Sequence, residues 1–131
     1  MAREYKFRAW DKENKEMLDI EDLHWDDCTR EFLIRTTMYS DYFDTEDMIL
    51  MQYTGLHDKN GKEIYESDIV EVTRQCIWEK GIVVFIDGCF FIKVNETLLA
   101  LYECEPNNYE LKVIGNIYEN PELLKGADNI E

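Results

Sequence analysis

The sequence predicts a mostly β protein built from antiparallel hairpins, and three observations support this. Apolar and polar residues alternate with a period of two at residues 5–9 and 68–73, which is typical of strands. The tight-turn pairs Asn60-Gly61 and Asp87-Gly88 lie between extended stretches. Aromatic residues, which favour pleated surfaces, make up 13% of the chain. We expect an SH3-like barrel in the second half with first-half hairpins packed against it, and an α+β arrangement is the alternative.

A chain of 131 residues has the usual size of one domain. We expect a single domain over residues 1–125 and a flexible tail over residues 126–131. The start lacks the apolar stretch of a signal peptide, and no apolar run approaches the roughly 20 residues of a transmembrane helix. The expected location is the cytoplasm.

In the first half, residues 5–10 and 17–20 predict a hairpin across a polar turn. Residues 23–25 form a short extended stretch that Asp26-Asp27 is expected to break. Residues 32–39 are rich in β-forming side chains and predict a strand. The acidic stretch 40–47 predicts a loop, and residues 48–53 predict a short strand, on their length, over one helical turn.

In the second half, Asn60-Gly61 predicts a type I′ turn, in which both residues take positive φ. Asp87-Gly88 predicts a two-residue loop between the apolar runs 82–86 and 89–94, whose near-continuous apolarity indicates burial on both faces. Residues 97–103 predict a further segment, helix or strand, and residues 111–118 a strand. Asn120 is expected to cap a helix in which Pro121 is the first residue.

The charge is strongly acidic, with 29 Asp and Glu against 14 Lys and Arg and a net charge of −15. Nucleic-acid binders neutralise phosphates with basic patches, and no such patch occurs. Direct binding to nucleic acid or to an anionic membrane is therefore not expected. The acidic surface serves solubility, or it binds a basic partner or imitates DNA.

The four cysteines show no C-x-x-C spacing and are expected to be free thiols. Cys76 and Cys89 lie in apolar or mixed stretches, where we expect buried, inert thiols.

No residue pattern marks a catalytic, cofactor or metal site, so the predicted site residues and cofactors are none. His24 and Cys28 have a four-residue spacing but lack a second pair of zinc ligands. An EF-hand that includes Gly61 would place Leu56 and Ser67 at ligand positions, so that reading fails. Acidic pairs without a partnering base are read as a solvated face; they are Asp26, Asp27, Asp41, Asp44, Glu46 and Asp47.

Two further groups are given structural roles. Asp68 is expected to accept backbone hydrogen bonds at a turn, while Ile69 and Val70 are covered on opposite faces of a strand. Aromatic residues without basic companions are expected to form core and cross-strand pairs rather than base-stacking surfaces; they are Tyr5, Trp10, Tyr53, Tyr65 and Tyr118.

Three blocks carry a family resemblance: residues 6–11 (KFRAWD), residues 52–70 (QYTGLHDKNGKEIYESDIV) and residues 113–121 (VIGNIYENP). The chain resembles the YopX family of phage and prophage proteins over almost its whole length. The resemblance implies a phage or prophage origin, a bacterial host cytoplasm and a β-rich fold, and it implies no known catalytic residue. One departure is Ser67, where the family usually has glycine before Asp-Ile-Val. If that position takes positive φ, serine costs about 1 kcal/mol there.

The functional expectation is an accessory protein that acts through contacts with a protein partner, and a basic partner fits the charge. A DNA mimic or anti-defence protein and an unrecognised enzyme are the alternatives, and a homo-oligomer is left open.

Overall fold

The computed structural model describes residues 5–124; the flexible tail expected at residues 126–131 lies outside the described residues. This part of the chain forms ten strands, one short 3-10 helix and a helical turn at residues 122–124. The strands are β1 Phe7–Asp11, β2 Glu16–Asp26, β3 Glu31–Thr36, β4 Met48–His57, β5 Glu63–Tyr65, β6 Asp68–Arg74, β7 Ile77–Ile86, β8 Cys89–Val94, β9 Thr97–Ala100 and β10 Glu110–Asn116, and the 3-10 helix is Leu101–Glu103.

The prediction of a mostly β fold is confirmed. The strands form two five-stranded antiparallel sheets, with the orders β3-β2-β1-β4-β5 and β10-β6-β7-β8-β9. The chain divides into two compact units at Gln52 and Tyr53, within β4. We call residues 5–52 the N-terminal unit and residues 53–124 the C-terminal unit.

In the N-terminal unit, β1 and β2 form the predicted hairpin, with Asp11 opposite Glu16. The Asp11 carboxylate closes the turn by accepting hydrogen bonds from the backbone N–H groups of Glu13 and Asn14. Ala9, Leu18, Ile34 and Met48 form the buried core of this unit. Alternation in β1 and β2 places these apolar side chains on one face, as the period-two pattern requires.

Strand β2 is longer than its partner β1. Its pairing with β1 runs only to Asp19, whereas its pairing with β3 runs from Ile20 to Asp26 with an irregularity between Ile20 and Asp22. The break expected at Asp26-Asp27 therefore comes at the very end of a strand that is continuous from Glu16. The acidic stretch 40–47 is a loop, as predicted, held by an isolated bridge between Ile34 and Phe43.

In the C-terminal unit, β6 to β9 form a meander, and β10 returns to pair with β6. The predicted Asp87-Gly88 loop is confirmed, since both residues have positive φ, 50° and 82°, and Ile86 lies opposite Cys89. The core contains Ile64 and the inward residues of the meander; among these are Val70, Val72, Val83 and Ile92. Ile69 and Val70 are both fully buried, as the sequence predicted.

Two expectations about this sheet need correction. The sheet has β10 and β9 at its two edges, so it does not close and the SH3-like barrel is not confirmed. Burial of both faces of the Asp87-Gly88 hairpin is wrong, because the side chains of Phe85 and Ile86 are 46% and 38% exposed. Both residues lie next to the loop, at the end of β7.

Several local expectations also change. In the Asn60-Gly61 turn only Gly61 has positive φ, at 84°. The turn begins at Asp58, whose backbone carbonyl accepts a hydrogen bond from the N–H of Gly61 at 3.0 Å. The turn is therefore not type I′. Residues 97–103 divide into β9 and the 3-10 helix.

The helix start expected at Pro121 is present, with residues 122–124 helical. The Asn120 backbone carbonyl accepts the N–H of Leu123 at 3.1 Å. Its side chain does not cap the helix, because it accepts a hydrogen bond from the N–H of Asn116 at 3.2 Å instead.

Candidate functional site

Asp58 is a buried carboxylate that holds the C-terminal unit together. One carboxylate oxygen accepts the N–H groups of Asn60 and Lys62 at 2.9 and 2.8 Å, and the other accepts the N–H of Val113 at 2.9 Å. Burial favours the protonated acid, but these three hydrogen bonds outweigh it and hold the pKa of Asp58 below its ordinary value. Asp58 therefore stays ionised, and its acceptor positions serve the fold.

Asp68 has the structural role that the sequence predicted. Its side chain is 2% exposed, and one carboxylate oxygen accepts the backbone N–H of Tyr65 at 2.8 Å. The preceding residue, Ser67, has φ of 72°, the left-handed conformation that glycine adopts readily. Hydrogen bonds from the Ser67 N–H to Val83 and from the Ile117 N–H to the Ser67 carbonyl fix this conformation.

Asn116 repeats this use of a buried polar side chain. Its Oδ1 accepts the N–H groups of Tyr118 and Glu119 at 3.0 and 2.8 Å. Together with Asp11, Asp58 and Asp68, it shows that buried polar side chains of the described residues hold turns.

An open groove of about 590 Å³ lies in the C-terminal unit between residues 55–59 and residues 101–111. His57 and Lys59 lie on one side, and Lys59 Nζ is 3.7 Å from a carboxylate oxygen of Glu110. Cys104 lines the groove, but burial raises the pKa of its thiol to about 11. A protonated thiol is a poor nucleophile, so Cys104 is not an activated nucleophile.

The metal-ligand candidates do not assemble into a site. The described residues contain no group of three or more His, Cys, Asp or Glu side chains placed to hold a metal ion. In the acidic loop, the Asp44 carboxylate accepts the N–H groups of Glu46 and Asp47. The Asp26 carboxylate accepts the N–H of Cys28. The carboxylates of Asp26 and Asp44 thus accept local backbone hydrogen bonds.

The expectation of buried thiols at Cys76 and Cys89 is wrong, because both are exposed. Cys76 follows the end of β6 in a turn, and Cys89 is the first residue after the Asp87-Gly88 loop. Strand ends lack the neighbours that cover strand centres, so an apolar sequence context did not guarantee burial.

The aromatic expectations are met in part. Tyr53 and Tyr65 form a cross-strand pair with ring centroids 5.4 Å apart, and Trp10 is buried. Tyr5 is exposed instead.

The most distinctive surface lies on the N-terminal unit, at the far end of the β2–β3 hairpin. Trp25 and Phe32 are directly opposite each other, and their rings meet edge to face at 5.1 Å. They share a face with Leu23 and Ile34 by strand alternation. Ile34 is fully buried, but Trp25 and Phe32 are 48% and 41% exposed. The apolar face of the hairpin therefore extends beyond the buried core and is partly exposed to solvent at Trp25 and Phe32.

The opposite face of the same hairpin carries a polar aromatic cluster. The Tyr42 hydroxyl donates a hydrogen bond to the Asp22 carboxylate, and this bond raises the pKa of Tyr42. The Arg35 guanidinium lies 5.5 Å from the centre of the Tyr42 ring, within cation–π range. This cluster fixes the acidic loop against β2 and β3.

The hairpin that carries the Trp25–Phe32 pair is rich in carboxylates. Residues 19–36 contain six acidic residues and two arginines, and Asp26 and Glu31 are the pair directly beyond Trp25 and Phe32. We call this surface the acidic aromatic ribbon, comprising residues 22–33. Sequence reasoning missed it, because the pairing of Trp25 with Phe32 depends on the β2–β3 register. The signal available in the sequence was an isolated tryptophan followed by two aspartates.

The described residues form a small all-β protein of two five-stranded antiparallel sheets. A family model described as YopX protein matches residues 6–125, and the chain belongs to that family. Protein EF1440 from Enterococcus faecalis is 30% identical, with a TM-score of 0.67 over 94% of this chain and 99% of that one. Protein yopX from Bacillus subtilis is 25% identical, with a TM-score of 0.66 over 91% and 97% of the two chains. A search of curated proteins finds no match to the chain.

Within the described residues, no helix is long and apolar enough to cross a membrane.

Proposed function

We propose that the protein is a non-catalytic accessory protein that binds a basic partner protein through the acidic aromatic ribbon. The observation that carries the proposal is the exposed edge-to-face pair of Trp25 and Phe32 on a hairpin that is rich in carboxylates. Aromatic residues dominate the binding energy of protein interfaces when a partner's pocket desolvates them. The carboxylates of the hairpin attract a basic partner and set its orientation.

The same arrangement favours a partner protein over the alternatives. A DNA mimic needs carboxylates spaced like phosphates, and a central apolar pair has no counterpart on a phosphate backbone. An enzyme needs convergent reactive groups, and the groove near His57 offers an unreactive thiol and a Lys59–Glu110 ion pair. We further propose that the protein is of phage or prophage origin and acts in the bacterial cytoplasm, where exposed thiols such as those of Cys28 and Cys76 stay reduced.

Affinity capture from bacterial lysate tests the proposal. The bait is the wild-type chain, a Trp25→Ala/Phe32→Ala variant or a matched Tyr102→Ala control, which removes an exposed aromatic ring from the C-terminal unit. We expect one basic protein to be captured by wild type and control, and its yield to fall at least about tenfold with the double variant. No reproducible partner, or equal capture by the double variant, would contradict the proposal.

Ionic strength supplies a second readout with the purified partner. Contacts between the carboxylates of the acidic aromatic ribbon and a basic surface weaken as salt shortens the Debye length from about 10 Å at 0.1 M to about 3 Å at 1 M. Binding that is insensitive to salt would count against a basic partner.

A further inference from the structure

A second surface lies on the C-terminal unit, on the face of β7, β8 and β9 that points away from the core. Strand alternation puts Val83 and Ile92 in the core and turns their neighbours outward. The register aligns Val84, Phe91 and Ala100 in one row across the three strands. A second row aligns Ile82, Lys93 and Leu98. We call this surface the outer face.

The outer face differs in charge from the rest of the chain. Alternate residues of β7 from Trp78 to Ile86, and the outward residues of β8 and β9, include no aspartate or glutamate. The two charged residues among them are Lys80 and Lys93. In a chain with 29 acidic residues, this leaves a contiguous carboxylate-free area. Trp78, Ile86 and Leu98 are exposed, and Ile82, Val84 and Phe91 are half-buried.

Carboxylates border the outer face at its margins. Glu71 on β6 lies opposite Lys80, and Glu96 lies in the turn between β8 and β9. Lys80 Nζ already donates a hydrogen bond to the Leu123 carbonyl at 2.9 Å. A partner for this surface therefore needs a flat apolar centre, a carboxylate placed to meet Lys93, and cationic groups to meet the margin. A basic protein is repelled by the two lysines at the centre.

We propose that the outer face binds a second copy of this chain and forms a symmetric dimer. A copy related by a two-fold axis presents the same apolar rows, its own lysines and its own marginal carboxylates, so each requirement is met by the same surface. Elsewhere two chains of net charge −15 repel each other. The carboxylate-free area is where they can approach.

The size of the surface sets the strength of the dimer. Stable interfaces use roughly 20–30 residues on each side, and the outward residues of three short strands provide fewer. The dimer is therefore weak and reversible. Its dependence on salt has the opposite sign to that of the proposed basic partner, because salt screens the repulsion between two acidic chains and leaves apolar contact in place.

Sedimentation velocity over about 10–500 µM protein, a range suited to weak association, tests the proposal in the wild-type chain. We expect the sedimentation coefficient to rise toward that of a dimer, with the rise shifting to lower concentration in 0.5 M salt. An Ile86→Glu/Leu98→Glu variant should remain monomeric throughout, whereas the Tyr102→Glu control should dimerise like wild type. A wild-type chain that stays monomeric, or a double variant that still dimerises, would overturn the proposal.

Cys89 provides a readout that needs no substitution. It is exposed on the outer face beside Ile86, while Cys28 is exposed in a turn of the N-terminal unit. Maleimide labelling of Cys89 should slow at least about threefold relative to Cys28 at concentrations where dimers form. An unchanged Cys89 to Cys28 rate ratio across the concentration range would place the contact elsewhere. A negative result for the dimer would not count against partner binding through the acidic aromatic ribbon, since that surface lies on the N-terminal unit.

Discussion

The carboxylate of Asp58 accepts a hydrogen bond from the backbone N–H of Val113 at 2.9 Å, across a separation of 55 residues. The same carboxylate closes the turn that joins β4 to β5. One buried side chain thus fixes both a local turn and the return of β10 to the C-terminal unit. This contact explains why a motif that resembles the start of a calcium loop is structural.

Replacing Asp58 with asparagine should lower the free energy of unfolding by about 2 kcal/mol at pH 7. The asparagine amide turns one acceptor into a donor, which faces a backbone N–H and leaves it unsatisfied. Chemical denaturation at pH 7 measures the loss. The control is Asp87→Asn in an exposed turn with positive φ, which should change stability by less than about 0.5 kcal/mol.

The contribution of Asp58 should also depend on pH. Its pKa is lower in the folded state than the ordinary value of 3.8, so it stabilises the fold above that pH and loses the contribution as the pH falls through the folded-state pKa. The difference in unfolding free energy between wild type and Asp58→Asn should therefore shrink on acidification from pH 7 toward pH 2–3. A difference that grows in acid would contradict this role.

Ser67→Gly should stabilise the protein by about 1 kcal/mol, because glycine adopts the observed φ of 72° without the steric cost that a Cβ imposes. The matched control is Ser67→Ala, which keeps the Cβ and should give no gain. Thermal and chemical denaturation measure both variants. Equal stabilities of the glycine and alanine variants would show that Ser67 is not strained.

Thiol labelling should separate Cys104 from the other three cysteines. At pH 8 a thiol with a pKa of about 11 is ionised in only about one molecule in a thousand, and Cys104 is also buried. A chromogenic disulfide reagent should react quickly with Cys28, Cys76 and Cys89 and with Cys104 only after denaturation. Four equally fast thiols in the native protein would contradict the described burial.

Asp68→Asn should lower stability by about 1 kcal/mol, because the bond to the Tyr65 N–H at 2.8 Å becomes weaker when the acceptor loses its charge. Unfolding measurements and partner capture are run on the same variant. Full stability with loss of the partner would make Asp68 a binding residue instead.

Local patterns predicted the elements that local chemistry decides. The Asp87-Gly88 loop, the β1–β2 hairpin and the burial of Ile69 and Val70 each follow from alternation and turn chemistry within a few residues. The Asn60-Gly61 turn was misassigned because the Asp58 carboxylate, committed to Val113, selects a different turn.

The two surfaces proposed to bind partners could not be predicted for a related reason. Exposure of Phe85 and Ile86 depends on where neighbouring strands end, which an apolar run does not encode. The acidic aromatic ribbon requires the register that sets Trp25 against Phe32. A sequence lists both residues but not their pairing.

Hydrogen–deuterium exchange with and without the captured partner tests most directly whether the partner binds through the acidic aromatic ribbon. We expect exchange to slow only at the backbone amides of residues 22–33, the acidic aromatic ribbon. Exchange at the groove, residues 55–59, should be unchanged. The Trp25→Ala/Phe32→Ala variant should show no protection at the same partner concentration. Protection centred on the groove, or protection that persists in the double variant, would contradict partner binding through the acidic aromatic ribbon.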